Sequence, residues 1–231
     1  MNPQHSDLRA VILDTETTAA KETPERRIEV IELAYRDIHS RELFLRRYKP
    51  LLHPQWGALA VHGITMQELE GCPPSSDARA EAPRADYWIG HNIDFDWKAL
   101  GSPPVKRICT LAMSRALWPE MDSHTLTAMM YFIKGATPST REELRSAHSA
   151  EADIDFCETL LQTIMAVTKT RELEALWELS EESRIPKTMT FGKFAGQPVS
   201  KVDRGYASWY NKQPDADPYL LAAFRQHGLL R

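Results

Sequence analysis

Leu8-Arg-Ala-Val-Ile-Leu13 is a short apolar run rich in strand formers, and it leads directly into Asp14-Thr15-Glu16-Thr17. No other feature of the chain constrains its fold as much. A run of this length bounded by polar residues reads as a buried strand. Residues i and i+2 of a strand point to one face, so Asp14 and Glu16 project together from the strand's end. Two carboxylates held that close repel each other unless a cation sits between them. Hard oxygen ligands select magnesium or manganese. An Asp-x-Glu at a strand end is most often solvated surface, so the pair needs further residues before it carries a function.

The rest of the chain supplies a sheet and helices around that strand. Ile28 to Ile38 and Leu43 to Tyr48 alternate well enough to be the next two strands of a meander, connected through Arg36 to Arg41. Ile64 to Glu70 reads as a short helix with Thr65 as its N-cap. Asp86 to Ile89 is a short strand, and Phe95 to Leu100 starts a helix. Trp88 and Trp97 flank that segment at positions expected to face the core. Ile108 to Leu117 and His124 to Ile133 are helical by spacing, and Lys134 to Ser146 reads as a mobile loop. Ala150 to Lys169 is a helix with apolar residues at 154, 157, 161, 164 and 165. After Arg171 come an acidic amphipathic helix, Glu172 to Ser183, a break at Pro186, and an aromatic-rich tail. The tail carries two short helical patterns, Tyr206 to Lys212 and Asp217 to His227.

Composition excludes several classes. With 231 residues, 42% apolar and 26% charged, the chain is one large domain or one domain plus a small module. No apolar stretch approaches the ~20 residues of a membrane span. The start, Met1 to Asp7, has no basic segment followed by an apolar core, so no signal peptide is expected. Cys72, Cys109 and Cys157 are too few and too scattered for a disulfide framework, and they suit a reducing cytosol. The net charge of −4 argues against coating nucleic acid by bulk electrostatics. The charge is uneven, however: residues 186–231 hold seven basic and three acidic residues, a net +4, which leaves −8 on the remainder. An acidic body can still hold a polyanion if divalent cations occupy some of its carboxylates.

Two further segments keep company with Asp14 and Glu16. Gly90-His91-Asn92-Ile93-Asp94-Phe95-Asp96 follows a predicted strand and opens a helix, so a carboxylate there lies near the edge where the first strand ends. Helix capping by Asn92 or Asp94 is the plain alternative. His148-Ser-Ala-Glu-Ala-Asp153 joins the predicted loop to the long helix, and histidine is the usual base near neutral pH.

In the order Asp14, Glu16, Asp96, His148, Asp153, the three segments resemble the motifs Asp-x-Glu-Thr, His-Asn-x-x-Phe-Asp and His-x4-Asp of the DEDDh (DnaQ-like) 3′→5′ exonucleases. Val61-His62-Gly63-Ile64-Thr65 is similar to the family's segment that packs on the terminal nucleotide. The resemblance covers residues 8 to 168, and the tail from Thr190 to Tyr210 resembles the C-terminal extension of one bacterial DNA-degrading branch. It implies an α/β, ribonuclease H-like exonuclease fold: a mixed central sheet flanked by helices, plus a small C-terminal module. The implied layout is an exonuclease domain over 1–170, a linker helix over 171–187 and a basic, aromatic-rich module over 188–231. It implies two Mg2+ ions, replaceable by Mn2+, held by Asp14, Glu16, Asp96 and Asp153, with His148 as general base. Thr15, Thr17, His62, Gly63, Ile64 and Asn92 are the implied substrate contacts. The implied partners are DNA 3′ ends, single-stranded or duplex, in a bacterial cytosol. Two alternatives remain at this level: trimming of RNA, although nothing in the sequence reads a 2′-hydroxyl, and a catalytically inactive nucleic-acid-binding module.

Overall fold

The computed structural model describes residues 9–23 and 26–231, so Leu8 and the start of the chain, Met1 to Asp7, where no signal peptide is expected, lie outside the described residues. Five strands form one sheet in the order β3-β2-β1-β4-β5. They are β1 Ala10–Thr17, β2 Val30–Asp37, β3 Leu43–Arg47, β4 Tyr87–Gly90 and β5 Lys106–Cys109. The first three make an antiparallel meander, while β4 lies parallel to β1 and β5 parallel to β4. Parallel neighbours need crossovers, and helices supply them. The helices are α1 Trp56–His62, α2 Ile93–Ala99, α3 Thr110–Leu117, α4 Leu126–Lys134, α5 Pro138–Glu143, α6 Ala150–Thr168, α7 Leu173–Ser183, α8 Arg204–Tyr210 and α9 Pro218–Gln226. The chain divides into two compact units inside α7: the first ends at Trp177, and the second spans Glu178–Arg231.

Strand β1 is central, and nearly every residue in it is buried, which is why its sequence is a continuous apolar run rather than an alternating one. Asp14 and Glu16 lie within this strand, because β1 continues through the acidic motif to Thr17. The sheet ladder pairs Asp14 with Ala34 and Glu16 with Glu32, and a bulge follows at Glu16/Thr17. Helix α6 packs on β1 and β2, and Ile154, Cys157, Leu161 and Ile164 are among its buried residues. Trp88 is fully buried and donates its indole N–H to the Pro83 carbonyl. Trp97 is half-buried and donates to the Pro103 carbonyl.

Three expectations change. The segment read as a helix over Ile64 to Glu70 is a series of turns, and the helix lies earlier, at Trp56–His62. Gly63, in the left-handed conformation, ends α1. Thr65 and Glu68 make the reciprocal bonds of a capping box, but Gly71 and Pro73 stop the chain before a helix can propagate. The segment Ile108 to Leu117 is not helical throughout, since Ile108 and Cys109 belong to β5. A four-residue strand running straight into a helix leaves no period to detect. The loop expected over Lys134 to Ser146 contains α5, which starts with a Thr137 cap and Pro138 in its first turn. The three cysteines are free thiols. Among the described residues no helix is long and apolar enough to cross a membrane.

Gly90 fixes how closely β4 turns into α2 beside β1. A Cβ there would stand 2.9 Å from Ile93 Cδ1 and 3.0 Å from the Leu13 carbonyl oxygen, which is backbone and cannot move aside. Gly90→Ala is expected to cost about 1–3 kcal/mol by overpacking, measured as a lower urea midpoint; an unchanged midpoint would show that the turn has slack.

Candidate active site

The site begins with β1. Oxygens of Asp14, Glu16 and Asp153 lie within 4.8 Å of one another. The first two come from one face of the strand and the third from the first turn of α6. Asp153 is carried there because Ser149 caps α6: the Ser149 hydroxyl accepts from Ala152 N–H and its carbonyl accepts from Asp153 N–H. Asp96 joins from α2, where its Oδ1 accepts from both the Thr15 amide (2.9 Å) and the Thr15 hydroxyl (2.6 Å). The two acids of the second motif therefore have separate roles. Asp96 turns toward β1, while Asp94 forms an ion pair with Arg107 at 2.6 Å, and that guanidinium lies over the Trp97 ring. Asp14, Glu16 and Asp153 thus meet from two elements, while Asp96, outside that three-residue group, lies near enough for its charge to act on Asp14 and Glu16.

Crowding these acids shifts their titration. Burial is the largest cause in each case, and for Asp14 and Glu16 the neighbouring carboxylates add to it. Asp14 is held well above the usual carboxylate range by burial and then by Asp96, Asp153, Glu16 and Glu32. Glu16 is pushed up to about 8 by burial, Asp153 and Glu32. Asp96 rises to about 7 through burial, against the lowering effect of its Thr15 bonds. Asp153 is raised by burial, partly offset by the His148 amide and charge. A set of all-oxygen, mutually repelling ligands fits a hard divalent cation.

His148 is exposed and sits in the left-handed conformation at φ 69°, and its backbone N–H donates to Asp153 Oδ1 at 3.4 Å. Its charge also acts on Asp153, lowering that carboxyl's pKa. His91 is a different kind of residue. Its Nε2–H donates to the His124 carbonyl, its Nδ1 faces the Thr110 hydroxyl, and burial lowers its pKa to about 4. It is a neutral tie between the second motif and the α3–α4 connection.

The other residues named from sequence are dispersed around this centre. The Thr17 hydroxyl donates to the Ala19 carbonyl. His62 is half-buried against the Thr17 backbone, and its Nδ1 accepts from Ile64 N–H. Gly63 is the left-handed cap of α1. Ile64 is buried with Ile31 and Leu69. Asn92 is exposed at the start of α2, in the left-handed conformation and making no side-chain cap bond.

Sequence reading missed Glu32. This buried residue faces Glu16 across the β1–β2 ladder. Its Oε1 accepts from Ala150 N–H at 3.1 Å, at the start of α6, and its Oε2 accepts from Arg47 Nε at 2.7 Å. Glu32 therefore ties the helix bearing Asp153 to the strand beside Glu16. An acidic residue inside an apolar strand, Val30-Ile-Glu-Leu-Ala34, was the available signal.

No family model matches the chain. Exodeoxyribonuclease 10 of Escherichia coli K12 is 26% identical over 226 residues, covering 94% of this chain and 97% of that protein. The same-named protein of E. coli O6:H1 matches equally. Among solved structures, exonuclease X in complex with 5′-overhanging duplex DNA aligns with a TM-score of 0.57 at 22% identity, over 74% of this chain and 99% of that one. E. coli exonuclease I in complex with a dT13 oligonucleotide aligns with a TM-score of 0.52 at 20% identity, over 74% of this chain and 43% of that one. These structural likenesses establish the fold, a mixed five-stranded sheet flanked by helices of ribonuclease H-like type.

Two outcomes test the site. Unfolded carboxylates titrate near ~4, whereas folded Asp96 and Glu16 titrate near about 7 and about 8. Between those values the folded state binds more protons than the unfolded one, so metal-free stability falls as pH rises through that window. Saturating Mg2+ should raise the melting midpoint more at about pH 8.5 than at about pH 5.5, and Asp14→Asn should shrink the gain; equal gains at both pH values would count against a cation site. Glu32→Ala should weaken Mg2+ affinity about 10- to 100-fold. Glu32→Gln, which keeps the acceptor for Ala150 N–H, should restore most of it, measured by calorimetric titration. In sequence and in fold, the chain's resemblance is to the DEDDh (DnaQ-like) exonucleases, and to exonuclease X among them.

Proposed function

We propose that this chain is a divalent-metal-dependent 3′→5′ exodeoxyribonuclease, hydrolysing the terminal phosphodiester of DNA and releasing nucleoside 5′-monophosphates. The observation that carries this reading is the meeting of Asp14, Glu16 and Asp153 oxygens within 4.8 Å, with Asp96 anchored beside them on Thr15. The donor set favours Mg2+, with Mn2+ as a substitute. Bound there, such ions supply Lewis-acid polarisation of the phosphodiester and make water a stronger acid. The likeness to exodeoxyribonuclease 10 over nearly the whole chain supports DNA as the substrate.

The chain's own residues do the remaining work. Asp14, Glu16, Asp96 and Asp153 hold and orient the cations. His148 accepts the proton of the attacking water at an imidazole nitrogen; its exposure keeps it in contact with solvent while its backbone stays fixed to Asp153. Thr15, Thr17, His62, Gly63 and Asn92 are the contacts this reading assigns to the terminal nucleotide, with Ile64, buried with Ile31 and Leu69, supporting them from behind.

Helix α1 supports the strand-binding part of this reading. Its sequence, Trp-Gly-Ala-Leu-Ala-Val-His, is apolar, yet none of its residues is buried. Trp56 is 85% exposed and the preceding Leu51 is 90% exposed. The segment is fixed to the end of the first motif: Gln55 N–H donates to the Thr18 carbonyl, and the Leu51 and Leu52 amides donate to the Glu29 carboxylate. An apolar surface held rigidly beside a phosphodiesterase centre suits the flat faces of unpaired bases.

Digestion of 5′-labelled DNA with Mg2+, with and without chelator, tests the reaction. Stepwise shortening from the 3′ end, abolished by chelator, is expected. A matched RNA degraded faster than the DNA would move the substrate assignment to RNA. Asp14→Asn or Asp153→Asn should abolish nucleotide release while circular dichroism stays native. His148→Ala should lower kcat by about 10²- to 10⁴-fold and leave the Mg2+-induced thermal shift in place. Trp56→Ala should raise KM about 5- to 150-fold with little change in kcat.

A further inference from the structure

The second unit, Glu178–Arg231, has a core of its own, built from Met189, Val199, Val202, Leu220 and Phe224. A unit this small needs its large apolar side chains inside. Most of its aromatics comply: Phe224 and Tyr210 are buried, and Phe194 and Tyr206 pack half-buried against them. Two do not. Phe191 is 43% exposed and Trp209 is 54% exposed. They belong to one row of rings. Phe191 lies 5.7 Å from the Tyr210 ring, and Trp209 lies 6.4 Å from Tyr210 and 5.4 Å from Tyr206. The row is supported from beneath by the core and open to solvent at these two side chains.

The charges of the segment that carries the row are unbalanced. After Pro186 there are only three acidic residues. Asp203 caps α8 by accepting from Tyr206 N–H and also pairs with Lys193 at 2.9 Å. Asp217 caps α9 by accepting from the Tyr219 and Leu220 amides. Two of the three are thus engaged with their own unit. On the basic side, Lys193 is matched by Asp203 and lies over the Phe194 ring. Lys187, Lys201, Arg204 and Lys212 are exposed and make no ion pair among the described residues. Arg204 opens the helix that carries Trp209, and the Lys212 amide donates to the Trp209 carbonyl.

We propose that Phe191 and Trp209, with Lys201, Arg204 and Lys212, form a second DNA contact on the C-terminal unit that holds single-stranded DNA, bases against the rings and phosphates against the cations. This rests on the exonuclease reading, since it supplies a grip on the same polymer outside the carboxylate centre. Planar rings supported by a core, on a unit that also carries unpaired cations, are what a sequence-tolerant single-strand surface requires. Duplex DNA keeps its base faces stacked away, and an acidic peptide would match the cations while leaving the rings without a flat partner.

The test uses the full chain in two separate assays. The first is fluorescence anisotropy of a labelled oligothymidylate of about twenty nucleotides, in chelator so that nothing is hydrolysed. Trp209→Ala should weaken binding about 5- to 150-fold, and Trp209→Phe should retain most of the affinity. Combined Lys201→Glu, Arg204→Glu and Lys212→Glu should reduce the slope of log affinity against log salt by about 2. The second assay is hydrolysis of the p-nitrophenyl ester of thymidine 5′-monophosphate, which occupies only the carboxylate centre; all these variants should match wild type. Wild-type failure in the second assay would overturn the exonuclease reading, while the first still judges the surface. Wild-type affinity and salt slope in the variants would overturn the surface, as would polyglutamate of matched charge competing as well as unlabelled oligothymidylate.

Discussion

Four carboxylates brought together at the end of a buried strand repel one another, and the rest of the catalytic unit is arranged to hold them there. Asp14 and Glu16 have little freedom to separate, because both sit in the β1–β2 ladder, opposite Ala34 and Glu32, and β1 is also paired with β4 over Ala10–Ile12. Asp96 is held by two bonds from Thr15. Asp153 is set by the Ser149 cap, and Glu32 binds that end of α6 to the neighbouring strand. Burial raises all four carboxylates, and repulsion from the neighbouring acids raises Asp14 and Glu16 further. The scaffold therefore keeps an arrangement that is unfavourable by itself and becomes favourable when positive charge enters.

Glu32 shows how local charge is balanced behind the site. Its own negative charge adds to the strain on Asp14 and Glu16. Both of its oxygens are nevertheless used, one by a backbone amide and one by Arg47, which also reaches Glu68 at 3.4 Å. A carboxylate satisfied in this way is a mechanical link rather than a further ligand. Gly90 serves the same end through shape, letting β4 and α2 approach β1 closely enough for Asp96 to reach Thr15.

The two apolar surfaces that stay exposed have different settings. Trp56 and Leu51 lie on a segment tied through the Gln55 amide to the Thr18 carbonyl and through the Leu51 amide to the Glu29 carboxylate. Phe191 and Trp209 belong to a separate unit with its own core and a surplus of unpaired cations. Each is a surface that a chain with this much buried apolar area elsewhere had no packing reason to leave open.

Much of the site was legible because its chemistry is local. The Asp-x-Glu at a strand end, the two acids at a helix start and the His-x4-Asp before a long helix are visible as residue types at fixed spacings, and β1, β2, β3, β4 and α6 follow from apolar runs and period. What local patterns could not decide was decided by contacts between distant residues. The choice between Asp94 and Asp96 depends on Arg107 and Thr15, which lie elsewhere in the chain. The importance of Glu32 depends on Ala150, 118 positions away. The short strand β5 and the helix α5 carry too few residues for a period to emerge. Sequence by itself determined which groups were available to bind a cation and on which elements they ride. Only the tertiary structure determined which of them meet, because side-chain partners in a sheet-and-helix fold are set by topology rather than by separation along the chain.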